Sequence, residues 1–561
     1  MKNRNVSLPM MALIGVLLLV PALSAQSTQS ASSSAQWAIA GQNLDNSRSQ
    51  PAEHTISPAN VKGLIPKWVF TTTNDVSATP TVYGGAVYFP DWGGNLFAVN
   101  AESGSLIWSH QISDYDGATG AFSRVSPAVD VEDDQLIVGD IINGVTGAIR
   151  ADPAGSHNQA IIGDILNSMK LSQGGANVIA INRETGTLRW ITNVSSHPAA
   201  IITGSPVVFE GVVYIGVSSS EEAFASSLSY PCCTFRGSIV ALDAKSGKIL
   251  WQTFTVPDNG GLTGGYSGGA VWQPPAIDSK RGLLFVGSGD NYSAPAGVEA
   301  CQNAHPKTQC TAADDYFDTA LALDLKTGNI KWAKRVQDVD TFTAACFDSP
   351  VPNQNCEVPG SPDFDFGGSG PNLVSNIVGF GQKSGIYWAL NPDNGNLVWR
   401  TQVGPGGDEG GMEWGTATDG KHIYAAISDV YSIAYILVPS GQQITWGSWS
   451  ALDVATGKIL WQTADPTTGT HDFGAVSVAN GVMYASSFAG QTYALDTTTG
   501  TILWSFASGG SVIDGPSIVD GTVYWGSGYR SGPGGTGNNK VYAFALAGST
   551  NVAENSKGGQ K

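Results

Sequence analysis

The sequence predicts an all-β fold assembled from one repeated unit, and three observations carry this prediction. The 561-residue chain holds 70 glycines and 16 tryptophans, and only 13% of its residues are charged. One short pattern recurs seven times: an apolar pair, Asp or Asn, a turn ending in Gly, a short β run and Trp. A chain of this length would ordinarily hold several domains, but such self-similarity is typical of one architecture repeated around a centre.

Each copy of the pattern predicts a strand, a tight turn and a second strand. The Asp or Asn side chain can cap the turn, Gly takes the positive-φ position, and alternating apolar residues mark half-buried strands. The copies are "AVNAESGSLIW", "AINRETGTLRW", "ALDAKSGKILW", "ALDLKTGNIKW", "ALNPDNGNLVW", "ALDVATGKILW" and "ALDTTTGTILW". Their tryptophans are Trp108, Trp190, Trp251, Trp332, Trp399, Trp461 and Trp504. We expect each of them to pack one unit against the next.

An eighth unit is divided between the two ends of the chain. The stretch "LIPKWVF" carries Trp68 without a preceding copy, and "KVYAFAL" (residues 540–546) supplies a first strand without the Trp. Runs between the copies, such as "GSPVVFEGVVYIGVSS", add two strands joined by a turn. Four strands in each of eight units predict an eight-bladed β-propeller closed by N- and C-terminal strands.

The N-terminus resembles a secretory signal peptide, because Lys2 and Arg4 precede the apolar run "MMALIGVLLLVPALSA" and a polar stretch follows it. We therefore expect a signal peptide at 1–25, a linker at 26–50, the propeller at 51–547 and a flexible tail at 548–561. The mature protein is expected to be periplasmic or secreted. No later stretch is apolar for long enough to span a bilayer, so no membrane insertion is expected.

The net charge of the protein indicates which classes of partner it can attract. Acids outnumber bases 46 to 28, which gives a formal net charge of −18. A surface this acidic repels nucleic acid and anionic lipid, and it can attract a basic protein.

Six cysteines in an exported chain allow 15 disulfide connectivities. Proximity in the sequence suggests Cys301 with Cys310, Cys346 with Cys356, and Cys232 with its neighbour Cys233. A bond between the two neighbours closes no long loop, so we expect its use to be local, as a rigid apolar plate.

Residues outside the repeat carry a resemblance to a known family. The stretches "GVSSSEEAF", "YPCCTFRGSIVALD" and "VGSGDNYSAP" are similar to quinoprotein alcohol dehydrogenases, and most of all to the polyvinyl-alcohol dehydrogenase branch. These are eight-bladed propellers that hold pyrroloquinoline quinone (PQQ) with calcium. The resemblance therefore implies PQQ and Ca²⁺ as cofactors and alcohols, secondary or polymeric, as substrates.

The family resemblance places Trp272 under the cofactor and Asp290 on the calcium. Trp272 belongs to no repeat copy, and a flat indole can stack on a tricyclic quinone. It precedes Asp290 by the spacing that separates floor Trp and calcium ligand in the family. Relatives have Asn at the second position, and an anionic oxygen suits a hard cation at least as well. Alternatively, Trp272 is another packing tryptophan. The alternative for Asp290 is that it is only the cap of a turn, or that Asn291 binds the calcium in its place.

Three further positions match the family within "ITGSPVVFEGVVYIGVSSSEEAF". Thr203 and Ser218 correspond to residues whose hydroxyls bind the carboxylates of PQQ. Glu221 corresponds to the calcium-binding glutamate. Its neighbour Glu222 is the alternative calcium ligand, because an alignment error of one residue would exchange the two.

The segment "SPDFDFGGSGPNLV" matches the stretch that carries the family's catalytic aspartate. The register assigns that role to Asp363, with Asp365 as the rival, although Pro362 stands where relatives often have Trp. We expect these two carboxylates, two apart on an extended chain, to point to opposite sides, so that at most one faces the cofactor. Lys383 matches the Lys or Arg that donates to the quinone oxygens.

Cations and the vicinal cysteines complete the expected site. A cofactor with three carboxylates requires cations in this acidic protein, and Arg124 and Arg236 are candidates on that chemistry. In the family a vicinal disulfide lies over PQQ, opposite the Trp floor. The resemblance therefore places Cys232 and Cys233 at the propeller's mouth, in contact with the cofactor. In the family the pair belongs to an earlier blade than the glutamate, whereas here it follows Glu221, so either another loop delivers the pair or these cysteines bridge elsewhere.

The expected function is the oxidation of an alcohol by transfer of hydride to PQQ. The sequence contains no C-x-x-C-H haem motif, so we expect electrons to pass to an external acceptor, a soluble cytochrome c. The inserted stretches 143–170 and 430–449 are expected to shape the opening. Two alternatives are a non-catalytic propeller scaffold and a propeller enzyme that acts on polysaccharide with two carboxylates as acid and base.

Overall fold

The structure is a computed structural model. It describes residues 36–142, 175–227, 230–304, 310–338, 340–346, 355–356, 362–532 and 534–548. The predicted signal peptide, residues 26–35 of the predicted linker, the inserted stretch 143–170 and most of the predicted tail lie outside the described residues.

Eight antiparallel sheets, formed by the described residues, follow one another along the chain, and the first strand, β1 (Leu64–Thr71), belongs to the last of them. Blade 1 holds β2 (Thr81–Tyr83), β3 (Ala86–Pro90), β4 (Asn95–Asn100) and β5 (Leu106–Gln111). Blade 2 holds β6 (Ala128–Asp130), β7 (Gln135–Gly139), β8 (Ala176–Asn182) and β9 (Leu188–Ser195). Blade 3 holds β10 (Ala200–Ile201), β11 (Val207–Phe209), β12 (Val212–Ser219), β13 (Ser238–Asp243) and β14 (Ile249–Phe254).

The middle of the chain adds two short ribbons to its blades. The ribbon of β15 (Ser267–Gly268) and β18 (Asn291–Ser293) flanks blade 4, which holds β16 (Ala276–Asp278), β17 (Leu283–Gly287), β19 (Thr319–Asp324) and β20 (Ile330–Arg335). Blade 5 holds β21 (Phe366–Val374), β22 (Ile377–Gln382), β23 (Ile386–Leu390) and β24 (Leu397–Gln402). Blade 6 holds β25 (Ala417–Thr418), β26 (His422–Ile427), β29 (Ser448–Asp453) and β30 (Ile459–Ala464), with the ribbon of β27 (Tyr435–Ile436) and β28 (Gln443–Ile444) inserted.

The ends of the chain meet in one sheet. Blade 7 holds β31 (Ser477–Ala479), β32 (Val482–Ser486), β33 (Gln491–Asp496) and β34 (Ile502–Ala507). Blade 8 joins β35 (Ser517–Val519), β36 (Thr522–Ser527) and β37 (Lys540–Leu546) to β1, with Leu64 opposite Leu546 and Thr71 opposite Lys540. The predicted closure of an eight-bladed propeller by N- and C-terminal strands is therefore confirmed.

The repeat tryptophans link each blade to the next in a closed circle. Each indole N–H donates to a backbone carbonyl of the following blade at 2.8–3.0 Å. The pairs are Trp68 with Ala101, Trp108 with Arg183, Trp190 with Ala244, Trp251 with Leu325, Trp332 with Pro392, Trp399 with Val454, Trp461 with Thr497 and Trp504 with Leu64. The packing role expected of these tryptophans is observed at all eight positions.

The glycine of the repeat turn lies against the same indole. Gly247 has φ of 71°, and a Cβ there would lie 2.6 Å from Cδ2 of Trp190. Glycine therefore provides both the left-handed turn and the space for the neighbouring blade. The Asp243 carboxylate accepts the Ser246 N–H at 2.8 Å, which is the predicted turn cap.

Part of the predicted linker packs against the propeller. Trp37 is fully buried, and its backbone pairs with Val82 of β2. Arg48 is 4% exposed, and its guanidinium donates to the carbonyls of Val476 and Ala40. These contacts tie residues 37–48 to blades 1 and 7.

Helices are short and few among the described residues. They are the 3₁₀ turns Val61–Gly63 and Ala344–Cys346 and the α-helical segments Ser113–Asp116, Glu221–Phe224 and Ala296–Ala304. None of the helices in the described part of the chain has the length and apolar character required to cross a membrane.

Candidate active site

Segments from seven of the eight blades converge on one cavity of about 270 Å³. Six residues predicted from the sequence line it: Arg124, Thr203, Ser218, Trp272, Asp290 and Lys383. They lie in, or next to, the connections between strands, so the cavity is built by loops that the propeller holds in place.

Trp272 forms part of the cavity wall and is fixed by neighbours on several sides. Its indole N–H donates to Asp365 Oδ2 at 3.1 Å, and its ring meets Trp414 edge to face with centroids 5.2 Å apart. A Cβ at Gly368 would lie 2.9 Å from the far edge of the ring, so glycine permits this close approach. The indole is therefore held in one orientation beside the cavity.

Lys383 is the centre of a buried charge cluster. Its ammonium donates to both oxygens of Asp363, at 2.9 and 2.8 Å, and lies 3.0 Å from Asp365 Oδ2. Burial alone lowers the pKa of this lysine, but the carboxylates of Asp363 and Asp365 outweigh it and raise the pKa well above its usual value. Lys383 is therefore a permanent cation at the cavity wall.

Asp290 completes the cluster. Its backbone N–H donates to Asp365 Oδ1 at 2.9 Å, and carboxylate oxygens of Asp290, Asp363 and Asp365 lie within 4.8 Å of one another. Burial, followed by the charges of Asp365 and Asp363, raises the pKa of Asp290 well above its usual value. Hard cations prefer such clusters of carboxylate oxygens.

The two aspartates of the "PDFD" stretch do not diverge as expected. Both carboxylates contact the Lys383 ammonium. The expected divergence was wrong because side chains alternate along an extended chain, so residues two apart share a face. Asp365 lines the cavity, whereas Asp363 is bonded to Lys383 and is not among the described lining residues. The geometry therefore favours Asp365 for the cavity-facing role, and the choice of Asp363 or Asp365 as the base stays a prediction.

Glu221, the predicted calcium ligand, does not line the cavity, and its neighbour Glu222 does. Its carboxylate is fully buried and accepts the backbone N–H groups of Thr234 at 2.8 Å and Phe235 at 2.7 Å, together with the Tyr230 hydroxyl at 3.0 Å. The neighbouring Glu222 lines the cavity instead, and burial raises its pKa to about 7. Successive side chains on a helical turn point about 100° apart, so only one of the pair can face the cavity.

The polar groups expected to bind carboxylates are at the wall. The Thr203 hydroxyl oxygen is buried and has no hydrogen-bond partner among the described residues. The Arg124 guanidinium lies 4.6 Å from the ring centre of Trp414, 5.1 Å from that of Trp92 and 5.7 Å from that of Tyr529. Arg236 lies elsewhere, bonded to the carbonyl of Val256.

Comparison with known proteins identifies the family. A polyvinylalcohol dehydrogenase of Sphingopyxis sp. (strain 113P3) is 30% identical to this chain, and the match covers 91% of this chain and 77% of that relative. The chain belongs to the quinoprotein alcohol dehydrogenases. The quinohemoprotein alcohol dehydrogenase ADH IIB of Pseudomonas putida is 22% identical, with 86% of this chain and 71% of that relative covered.

Two further comparisons concern the fold of this quinoprotein. The solved structure of quinohemoprotein alcohol dehydrogenase ADHIIG from Pseudomonas putida HK5 aligns with a TM-score of 0.64 and 17% identity, covering 94% of this chain and 82% of that one. A family profile described as outer membrane protein assembly factor BamB matches residues 65–226, 148–334 and 447–550. That profile spans the propeller repeats, which proteins of different function share.

The cavity of this quinoprotein alcohol dehydrogenase fits PQQ, the cofactor of the family. Trp272 offers an aromatic face of fixed orientation, and Arg124 and Lys383 offer cations to an anionic quinone. The buried Thr203 hydroxyl lacks a partner in the described protein, and a cofactor carboxylate would satisfy it. The donors at the wall thus match the charges of the cofactor.

The vicinal cysteines are bonded but not at the expected place. The three predicted disulfides, Cys232–Cys233, Cys301–Cys310 and Cys346–Cys356, are all present. Cys233 is fully buried in an apolar cluster with Phe235, and neither cysteine belongs to the described lining of the cavity. The pair therefore lies outside the described cavity lining, and its expected contact with the cofactor stays a prediction.

Several wall residues were missed by the sequence reasoning. Glu413 and Trp414 precede β25, and burial raises the pKa of Glu413 to about 8. Asp408 and Glu409 lie just before them, in the same glycine-rich stretch. Trp414 belongs to no repeat copy, a property it shares with Trp272, so this signal is present in the sequence.

Proposed function

We propose that this chain oxidises secondary alcohols, including those of a polymer such as polyvinyl alcohol, with PQQ and calcium bound in the cavity. Membership of the quinoprotein alcohol dehydrogenases supports the reaction class. The observation that carries the proposal is the contact of Asp365 with both Trp272 and Lys383 at the cavity wall. It joins a carboxylate, a fixed indole and a permanent cation, which a scaffold does not require.

The calcium proposal rests on the oxygen-rich side of the cavity. Asp290, whose carboxylate belongs to the cluster of three, and Glu222 both line the cavity. Calcium takes six to eight oxygen ligands, so these residues would supply part of its shell. Glu222 replaces Glu221 in this role because the Glu221 oxygens already accept backbone N–H groups.

When bound, the quinone accepts two electrons from the alcohol, and the calcium ion acts as a Lewis acid on it. The protein provides the base and the orientation. Asp365 lines the cavity, accepts one hydrogen bond from the Trp272 indole at 3.1 Å and lies 3.0 Å from the Lys383 ammonium. We assign to Asp365 the removal of the substrate's hydroxyl proton.

The other residues position the reaction. Trp272 supports the plane of the cofactor, and Thr203, Ser218 and Arg124 bind its carboxylates. Asp363 holds Lys383 through two hydrogen bonds, at 2.9 and 2.8 Å. The lysine ammonium is thereby kept at the wall, where it can donate to an oxygen of the quinone.

A soluble cytochrome c is the proposed electron acceptor. The sequence has no C-x-x-C-H motif of its own, and a net charge of −18 would attract a basic protein. We also propose a periplasmic or secreted location, which the signal-like N-terminus and the disulfides support.

Reconstitution tests the function. The purified protein is incubated with PQQ and calcium, passed through a desalting column and denatured, and the released quinone is measured by absorbance. Dye reduction is then followed with a series of secondary alcohols and polyvinyl alcohol. Stoichiometric PQQ and alcohol-dependent dye reduction are expected. Protein that retains no PQQ and reduces no dye with any alcohol would instead support the scaffold function.

A further inference from the structure

The insertion of blade 6 presents an unusual surface. We call residues 430–446, which include β27 and β28, the rim hairpin. No charged residue occurs between Val430 and Leu452, in a chain of which 13% is charged. Its Tyr431 is 55% exposed, Ile433 47%, Ile436 65% and Val438 37%. Clustered apolar side chains of this kind on a soluble protein mark a binding surface.

The rim hairpin is anchored, so its outward side chains are held in place. The Tyr435 hydroxyl donates to the Trp446 carbonyl and is hydrogen-bonded to the Ser448 hydroxyl, both at 2.8 Å. Leu437 is buried, and the backbone N–H of Gln462 donates to the Val438 carbonyl at 2.7 Å. Inward residues secure the ribbon to blade 6, while the intervening Ile433 and Ile436 face solvent.

The rim hairpin begins at the cavity. Val430 packs against an apolar cluster that includes Phe473, and Phe473 lines the cavity. The next residue, Tyr431, donates its hydroxyl to Asp408, whose side chain also lines the cavity. A ligand that leaves the cavity on this side therefore meets the hairpin first.

We propose that the rim hairpin binds the chain of a polymeric alcohol outside the cavity. This inference rests on the proposed function. A cavity of about 270 Å³ that also holds a tricyclic quinone admits one short portion of a polymer, so the rest of the chain must cross the rim. A carbon chain with hydroxyl groups is uncharged and apolar along its methylenes, which matches a surface of Ile433, Ile436 and Val438.

A basic electron acceptor fits this surface less well. It would be attracted by carboxylates, and the rim hairpin offers none between Val430 and Leu452. The polymer is therefore the occupant that the chemistry of the surface selects. The hairpin determines preference for long substrates and leaves the reaction on short ones unchanged.

A double variant, Ile433→Ser with Ile436→Ser, tests the inference. The matched control is Leu106→Ser with Ile107→Ser on β5, since these residues are 52% and 49% exposed and belong to blade 1. Binding of fluorescently labelled polyvinyl alcohol is measured on all proteins without PQQ. Dye reduction by the PQQ-loaded proteins is measured with polyvinyl alcohol and with 2-butanol, and thermal unfolding checks folding.

The hairpin variant is expected to bind the polymer about tenfold more weakly and to raise the KM for polymer by a similar factor, because two apolar contacts are lost. Its kinetics with 2-butanol and both measurements on the control variant should equal those of the parent protein. Unchanged polymer binding would overturn the inference, as would equal losses in the control or with 2-butanol. A slower reaction with cytochrome c at unchanged polymer KM would assign the hairpin to the acceptor instead. If the parent protein oxidises no alcohol at all, the proposed function fails first.

Discussion

Replacement of Lys383 by Gln removes the one cation that the described structure places between Asp363 and Asp365. The ammonium makes contacts of 2.9 and 2.8 Å with Asp363 and 3.0 Å with Asp365. The side chains are 10% exposed for the lysine, 3% for Asp363 and 8% for Asp365, so water can replace the lost partner only from the cavity side. We expect a marked loss of stability in the protein without calcium and PQQ.

Two estimates of the size of this loss agree. Removing one partner of a buried ion pair costs about 3–5 kcal/mol of unfolding free energy. The cluster can limit the penalty by taking up a proton, and neutralising an ordinary aspartate at pH 7 costs about 4 kcal/mol. The expected decrease in the free energy of unfolding is therefore about 3–4 kcal/mol.

Urea unfolding, followed by tryptophan fluorescence in the presence of a calcium chelator, measures the decrease. Lys334→Gln on β20 is the matched control, because this lysine is exposed and its loss should change stability by less than about 0.5 kcal/mol. Adding Asp363→Asn to Lys383→Gln should restore part of the stability, since it removes one unpaired carboxylate. A loss below about 1 kcal/mol, or no recovery in the double variant, would refute the proposed electrostatic role of Lys383.

Three further predictions concern the same cavity. Asp365→Asn should lower kcat/KM for a secondary alcohol by about 10²–10⁴-fold, whereas Asp363→Asn should act mainly on stability; the reverse order would restore the original register. Glu222→Gln should weaken calcium binding in a calorimetric titration, while Glu221→Gln should leave calcium affinity nearly unchanged and lower the thermal unfolding temperature, and equal effects on affinity would contradict the assignment. Trp272→Leu should weaken PQQ binding by about tenfold in a fluorescence titration, and an unchanged dissociation constant would remove the indole from the cofactor site.

The fold was predictable because one sequence pattern recurs along the chain. Each copy of the repeat contains both the strands of one blade and the Trp that binds the next, so a local pattern specifies a global ring. Trp68 and the strand at 540–546 were sufficient to predict the closure, which β1 and β37 form. The packing of Trp37 and Arg48 was not predictable, since a single non-repeated segment has no second copy that would reveal its partners.

The candidate site was predictable to within one or two residues. Trp272 and Lys383 line the cavity, which agrees with the positions that the family resemblance implied. Glu222 lines the cavity where Glu221 was predicted, and Asp365 lines it where Asp363 was predicted. The first pair lies in a helical turn, and the second lies just before β21. There the direction of a side chain depends on the local backbone, and the sequence pattern does not specify that direction.

The hydrogen bonds of Glu221 show how the loop that carries the two cysteines contributes to the site. Thr234 and Phe235 directly follow the cysteine pair, and their N–H groups bind the Glu221 carboxylate. Phe235 and Cys233 are buried in the same apolar cluster, so the loop is fixed in the core. One glutamate of the adjacent pair thus attaches the helical turn to a rigid loop, and this attachment leaves the other glutamate directed at the cavity. The vicinal disulfide supports the site through this attachment, without lining the cavity itself.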